Sequence, residues 1–293
     1  MHQIPLLDPR RDVVFKTIFS KSTKKSSIAR NSIISAFIGR KVESSTVLNP
    51  ELTIEDIRNK ATRLDILCIL DDGSQVNLEM QMCNTTDSME DRLCYYCSQL
   101  YTGQESKGLP YEKLKPVYVI LISNQTIFDK YDKYLSLIQY RFEDGTMFSN
   151  KLNIFTLELS KLEEPVTITK EMDPVQRWGL FFTSAIQKER KKILEALIET
   201  DEGINMAEKL LYEVTQNDYE RAAVFEREKI LTDYYAGLAS AEQQGIKQGK
   251  EEGMEEGIKK RNLEIAAIMK SQGFAIEQIS NITGLTEQEI QKA

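Results

Sequence analysis

One stretch of the chain, LDILCILDDGSQVNLEMQM at residues 64–82, constrains the fold more than any other. Two apolar runs flank an Asp-Asp-Gly turn signal, and this pattern predicts a β-hairpin. A two-residue Asp-Gly loop would pair Asp65 with Met80. A three-residue Asp-Asp-Gly loop places Gly73 where a positive φ is needed and pairs Asp65 with Glu79.

Side-chain alternation favours the three-residue loop. After the turn, one strand face is polar and the other apolar, the polar set being Gln75, Asn77, Glu79 and Gln81 and the apolar set Val76, Leu78, Met80 and Met82. On the preceding strand, Leu67 and Ile69 fall beside Asp65. We therefore expect Asp65 and Glu79 to share a partly buried face.

Two carboxylates in this arrangement predict a bound proton or a bound cation. Their Cβ atoms would lie about 5 Å apart, where repulsion and desolvation oppose the ionisation of both groups. Hard oxygen ligands suit Mg²⁺, Mn²⁺ or Ca²⁺. The alternative is a structural pair neutralised by an arginine such as Arg63 or Arg92.

Composition excludes several classes of protein. No apolar run approaches the roughly 20 residues that span a bilayer, so a membrane protein is excluded. The N-terminus lacks the pattern of a secretory signal, and we expect a cytoplasmic protein. The single histidine, His2, argues against Ser-His-Asp or Cys-His catalysis. Acid–base chemistry would then come from carboxylates, lysines or metal-bound water.

The four cysteines, Cys68, Cys83, Cys94 and Cys97, all fall in the central segment. Cys94 and Cys97 form a C-x-x-C, but a zinc site would need a second pair or histidines. We expect reduced, buried thiols with a structural role.

Charge is distributed unevenly along the chain. The net charge is −7, yet residues 10–63 hold twelve Lys or Arg against five Asp or Glu. This basic segment fits a surface that follows a phosphate backbone, and it fits a solvated basic face equally well. Charge alone does not decide between the two.

The periodicity of the first half predicts an α/β sandwich of about 160 residues. DVVFKTIFS and SSIARNSIISAFIG predict two helices, the second ending at Gly39, and STVLNPELTI predicts an edge strand or an extended connection. After the hairpin, a helix is expected behind an N-cap at Thr86 or Asp87. Its buried face comprises Met89, Leu93, Tyr96 and Leu100. KPVYVILIS predicts a central strand covered on both faces, and NIFTLEL predicts another strand.

The second half is helical by period, with a helical extension at 166–243, a charged connector at 244–261 and a small tail at 262–293. The connector repeats glycine at Gly245, Gly249, Gly253 and Gly257. It is interpreted as a charged helical connector or as a close helix–helix contact in a homo-oligomer. The tail resembles a helix-turn-helix. Its role would be either sequence reading on DNA or packing and oligomerisation.

The hairpin motifs resemble the PD-(D/E)XK nuclease core, which has an acid on one strand and Glu-x-Lys or Glu-x-Gln on the next. More narrowly, DVVFKTIF, RLDILCILDDGSQVNLEMQ, DRLCYYCSQLYTGQ, KGLPYEKLKPVYVILI and the glycine-repeat tail resemble the Rpn family of recombination-promoting nucleases and transposases. The resemblance covers about residues 8–160. It implies a nuclease-like domain at 1–165, with a mixed central sheet flanked by helices and followed by an α-helical C-terminal region.

The resemblance also implies roles for individual residues. Asp65 and Glu79 become metal ligands, Asp12 is a candidate third ligand, and Gln81 occupies the position of the catalytic lysine of the wider superfamily. Gln81 would orient water as an amide, or a lysine from elsewhere, Lys16 or Lys60, would supply the charge. The residues expected to bind phosphate or nucleic acid are Lys16, Lys60, Arg63 and Arg92.

The function implied is a Mg²⁺-dependent DNA endonuclease that promotes recombination, with Mn²⁺ or Ca²⁺ as other candidate ions. One alternative is a catalytically weakened nuclease fold that binds nucleic acid or a protein partner. Another keeps the chemistry and changes the substrate to RNA.

Overall fold

The computed structural model describes residues 5–48, 66–82, 88–104, 110–163 and 167–293. The chain divides into two compact units, residues 1–228 and residues 229–293. None of the helices in these ranges is both long and apolar enough to cross a membrane.

The described part of the first unit contains a six-stranded mixed sheet in the order β1-β2-β3-β4-β6-β5. The strands are β1 Ser45–Val47, β2 Ile66–Leu70, β3 Gln75–Gln81, β4 Val117–Ser123, β5 Leu135–Arg141 and β6 Met147–Glu158. Strands β3, β4 and β6 run parallel, and the other neighbours pair antiparallel. As predicted, β1 is an edge strand and β4 lies inside the sheet with both faces largely buried.

The β2–β3 hairpin has the predicted three-residue turn. Leu70 N donates to Ser74 O at 2.9 Å, and Gly73 has a φ of 83°. The register runs from Ile69 opposite Gln75 to Ile66 opposite Leu78, as the alternation pattern requires. Asp65, the next residue toward the N-terminus, lies outside the described residues, so its pairing with Glu79 stays a prediction.

Helices cover both faces of the sheet. Helix α1 is Asp12–Phe19, α2 is Lys24–Ile38 and α3 is Met89–Thr102. Gly39 ends α2 in the left-handed conformation, as predicted. The N-cap of α3 is Ser88, whose Oγ accepts from Asp91 N. The predicted cap at Thr86 or Asp87 was therefore wrong, because Ser88 is the residue placed to satisfy the first-turn amide; Thr86 and Asp87 lie outside the described residues.

Helix α3 packs on one sheet face through Leu93, Tyr96, Cys97 and Leu100, against Val117, Val119, Leu121 and Ile154. Phe37 of α2 contacts Phe155 of β6 on the other face, at 6.0 Å between ring centroids. Cys68 and Cys97 are buried as predicted, and burial raises the pKa of Cys68 to about 12. Cys94 is exposed, which corrects the prediction for that thiol, because the helical period turns it away from the sheet.

The helices after residue 166 belong to the same core as α1. They are α4 Pro174–Ser184, α5 Lys191–Thr200 and α6 Glu202–Gln216. Trp178 of α4 is fully buried, with its ring centroid 5.7 Å from that of Phe19 in α1. The ring centroid of Phe182, also in α4, lies 5.9 Å from that of Phe15 in α1. The helical extension thus completes the apolar layer above the sheet.

Helix α7 is Asp218–Ser271, followed by α8 Ile276–Thr283 and α9 Glu287–Lys292. In the second unit, Ala266, Ile279, Leu285 and Ile290 form a small core. Gly284, in the left-handed conformation, forms the turn between α8 and α9. The predicted connector, residues 244–261, lies inside α7, which continues to Ser271 before the two short helices. The predicted domain boundaries and the roles in oligomerisation or DNA reading stay predictions.

Candidate nuclease site

The candidate site is built around Glu79, near the carboxyl end of β3. Its register partner on β4 is Leu121, which belongs to the apolar cluster beneath α3. Side chains of paired residues on neighbouring strands point to the same face, so Glu79 points toward α3. Its side chain is only 1% exposed. A carboxylate this deeply buried needs partners, because burial opposes its charge.

Two described residues hold the carboxylate of Glu79. The side-chain amide of Asn77 donates to Glu79 Oε1 at 3.0 Å, and Asn77 is itself fully buried. Arg92 Nη2 lies 3.6 Å from Glu79 Oε2. The first contact is a normal hydrogen bond, whereas the second is an ion pair beyond hydrogen-bond distance.

Arg92 reaches from α3 to both functional positions of the Glu-x-Gln motif. Its Nη1 donates to Gln81 Oε1 at 3.5 Å, and its Nε donates to Tyr96 OH at 3.0 Å. The guanidinium also lies over the Tyr96 ring, at 5.3 Å from the centroid. The side chain of Arg92 is 25% exposed. It therefore brings a fixed positive charge beside Gln81, with a quarter of its side chain exposed.

The start of α1 lies near the carboxyl ends of β3 and β4. Asn124 N, just after β4, donates to Gln81 O at 2.9 Å. Arg10 Nη1 donates to the side-chain oxygen of Asn124 at 2.8 Å. Asp12 follows two residues later, and Lys16 Nζ lies 3.1 Å from its Oδ1. Asp12 is thus on an element anchored at the edge that carries Gln81, and its role as a third ligand stays a prediction.

The basic segment is largely neutralised from within the chain. Among its nine described Lys and Arg, seven form ion pairs with carboxylates, as in Lys21 with Glu220 and Lys25 with Glu213. Arg30 is 2% exposed and donates to backbone oxygens such as Phe19 O. These ion pairs offset much of the positive charge of the described part, and its role along a phosphate backbone stays a prediction. Lys60 and Arg63 lie outside the described residues.

The described residues contain no group of three or more His, Cys, Asp or Glu side chains suited to a metal ion. What they supply is the buried carboxylate of Glu79, a hard oxygen donor of the kind that Mg²⁺ accepts, whereas the amide oxygen of Gln81 accepts from Arg92. The donor chemistry fits a divalent cation, and Asp65, the predicted second acid, would complete it.

Sequence reasoning placed Asn77 on the polar strand face but gave it no role. Its amide fixes Glu79 Oε1 and so determines which oxygen faces Arg92. The signal available in the sequence was its position, two residues before Glu79 on a strand whose polar face is buried.

A mixed sheet with helices on both faces, and a Glu-x-Gln with a buried glutamate on the second strand of a hairpin, are typical of an α/β fold of the nuclease type. The model of the PD-(D/E)XK nuclease family transposases matches residues 9–241. The chain belongs to this family, which confirms the resemblance and the fold class expected from the motifs. No curated protein and no solved structure matches the chain.

Replacing Asn77 with leucine is expected to weaken metal binding about 10- to 100-fold, because the carboxylate loses the donor that orients it. Titration of the protein with Mn²⁺ by calorimetry would measure the change. Asn153→Leu is the matched control, since Asn153 is 3% exposed and its amide donates to Val117 O at 3.2 Å. Equal Mn²⁺ affinity in the two variants would contradict a positioning role for Asn77.

Proposed function

We propose that this chain is a divalent-metal-dependent DNA endonuclease that hydrolyses phosphodiester bonds in recombination of the transposase type. The observation that carries the proposal is the buried carboxylate of Glu79, which is oriented by Asn77 and accompanied by Arg92; the motif resemblance assigns Glu79 to the acidic position of the family. A cytoplasmic location and a homo-oligomer formed through the C-terminal helices are parts of the same proposal.

Asp65 and Glu79 would hold the cation, with Asp12 as a third ligand and Mg²⁺ as the preferred ion. When bound, the cation supplies Lewis acidity at the scissile phosphate and lowers the pKa of a water molecule. The ion pair with Arg92 does not exclude this role. At 3.6 Å, Glu79 Oε2 is not hydrogen-bonded to the guanidinium.

Arg92 is the described residue best placed to supply the charge that Gln81 lacks. Lys16, a candidate for that charge, is paired with Asp12. Arg92 touches Gln81 and Glu79 and keeps a quarter of its side chain exposed, so its guanidinium is open to a phosphate oxygen. Gln81 accepts from Arg92 through Oε1, and its amide is the group that would orient the attacking water.

The second candidate function is a binding module on a nuclease scaffold with weakened catalysis. It is favoured by the same pair of residues, because Gln81 carries no charge and Arg92 already neutralises Glu79. Such a protein would bind nucleic acid or a protein partner without metal-dependent turnover.

Cleavage of supercoiled plasmid with Mg²⁺ tests the proposal, comparing wild type with Asp65→Ala and with chelator present. We expect cleavage by wild type and its loss with chelator or in the variant. Equal activity in both proteins would refute the assignment of Asp65. If wild type binds DNA but does not cleave it, the result supports the second candidate function, a binding module. Digestion of single-stranded RNA under the same conditions shows whether the protein cleaves DNA or RNA.

A further inference from the structure

The two edges of the described sheet are built differently. β1, at one edge, is three residues long, whereas β5, at the other, is seven residues long. Natural edge strands are protected from association by shortness, by lysine or proline, or by a bulge. The sequence of β5, LSLIQYR, contains neither lysine nor proline, and its register shifts against β6 place the extra residues in β6. The long edge therefore lacks the protection that shortness gives to β1.

The backbone of β5 offers hydrogen bonds at this edge. Just before the strand, Tyr134 O accepts from Glu158 N of β6. In an antiparallel pair, alternate residues direct their N–H and C=O groups away from the neighbouring strand. Counting from Tyr134, the groups of Leu135, Leu137 and Gln139 point to the open edge, where a further strand can pair with them.

The β5–β6 hairpin exposes large apolar side chains around the same edge. These side chains form the hairpin patch, and each is 43–67% exposed: Leu137, Ile138, Tyr140, Phe142, Met147 and Phe148. At about 200 Å² for a large side chain, six that are roughly half exposed present about 600 Å². That area is at the upper end of the ~300–600 Å² patch of a typical monomer and approaches the ~800 Å² that each partner buries in a standard interface.

A cavity of about 690 Å³ adjoins this edge near the start of β5. Its wall on the β5 side is Ser136, Leu137 and Ile138, and most of the rest comes from α3 and the loop at 127–131. The hairpin tip, at the other end of β5, carries the rings of Phe142 and Phe148, with centroids 5.5 Å apart. An apolar projection at one end of a strand and a cavity at the other are self-complementary, because a two-fold axis between them brings each against the other.

We propose that two copies of this chain associate through β5, the two strands pairing antiparallel about a two-fold axis at Ile138. With the axis there, Tyr140 of one copy lies opposite Ser136 of the other. Alternation along the strand places Ser136, Ile138 and Tyr140 on one face of the sheet, the face of the cavity. Tyr140 of each copy, with the aromatic tip next to it, then covers the cavity of the second copy.

The charges at the two ends of β5 favour a protein partner over a nucleic acid. Three basic and four acidic residues lie exposed there: Lys130, Lys133 and Arg141 with Asp129, Asp132, Glu143 and Asp144. A phosphate backbone requires a basic surface, which these residues do not provide. A second copy presents the same mixed charges, and the knob-and-cavity arrangement gives it the matching shape. The inference does not depend on the nuclease proposal or on association through the C-terminal helices.

Sedimentation equilibrium of the full chain, without DNA or metal, measures the association. Wild type is expected to associate, and Ile138→Lys should raise the dissociation constant about 100-fold or more, because the two lysines face each other at the axis. Leu48→Lys is the matched control at the opposite edge, since Leu48 follows β1 and is 49% exposed. It should keep the wild-type constant. Circular dichroism verifies that both variants fold.

A cysteine at the axis tests the pairing itself. The hydrogen-bonding groups of Ile138 face β6, so Ile138 and its copy form a non-hydrogen-bonded pair with Cα atoms about 4.5 Å apart, within the range of a disulfide. In a Cys94→Ser background, which removes an exposed native thiol, Ile138→Cys should give a reducible covalent dimer on mild oxidation. Leu48→Cys in the same background should not.

Three results would each overturn the inference. The first is a wild-type chain that stays monomeric, and the second is an Ile138→Lys variant that associates as tightly as Leu48→Lys. The third is a yield of covalent dimer from Ile138→Cys no greater than that from Leu48→Cys. Association through the C-terminal helices would be common to both lysine variants, so the difference between them reports the β5 contact alone.

Discussion

Glu79→Gln should reduce Mg²⁺-dependent DNA cleavage by about 100- to 1,000-fold, the scale on which a single oriented group stabilises charge in a transition state. The substitution keeps the shape of the side chain and its acceptor oxygen, so the change acts on charge at a position that is 1% exposed. Steady-state cleavage rates at saturating Mg²⁺ would measure it, and Mn²⁺ calorimetry would show whether ion affinity falls in parallel.

The chain offers a matched control in Asp201→Asn. Asp201 is also an acid paired with an arginine, Arg177, at 3.5 Å, with a side chain that is 11% exposed, and it caps α6 away from the candidate site. Asparagine retains the capping oxygen, so this variant should lose some stability and keep its cleavage rate. If Glu79→Gln and Asp201→Asn lowered cleavage equally, the effect would belong to general stability and Glu79 would have no catalytic role.

Arg92→Ala should destabilise the apoprotein by about 1–3 kcal/mol, because the buried carboxylate of Glu79 loses a nearby positive charge. We place the loss below that of a fully buried ion pair because Arg92 is 25% exposed. A divalent cation would replace the missing charge at the same carboxylate. Mg²⁺ or Mn²⁺ should therefore raise the thermal midpoint of Arg92→Ala more than that of wild type.

The double variant Glu79→Gln with Arg92→Ala separates a metal site from a structural ion pair. When Glu79 is glutamine, the cation should not raise the free energy of unfolding. Removal of Arg92 should then lower that free energy by less than it does in wild type. Urea denaturation with and without Mg²⁺ measures the free energy of unfolding of wild type, the two single variants and the double variant. If Arg92→Ala is destabilised but responds to Mg²⁺ no more than wild type does, the pair is structural and Glu79 does not hold the ion.

The sequence by itself determined the hairpin register and the elements around it. A glycine at a position that needs positive φ and a strict alternation of polar and apolar residues are local constraints, and both selected Ile66 opposite Leu78. The same local logic identified the helices α1 to α3, because their apolar residues repeat at helical spacing. It missed β5, an edge strand with exposed residues on both faces, since neither alternation nor a continuous apolar run marks it.

The contacts that give the site its chemistry were decided only by the tertiary structure. Arg92, which the sequence offered together with Arg63 as a partner for the acids, meets Glu79 because α3 packs on β4 and β6 with its first turn close to β3. The basic segment looked free in the sequence, yet Lys21 pairs with Glu220, 199 positions away. Local propensity depends on neighbours along the chain, whereas charge neutralisation and burial depend on whatever side chain the fold brings close. The motif and a candidate arginine partner were therefore visible in the sequence, and the contacts that neutralise and bury the charges were not.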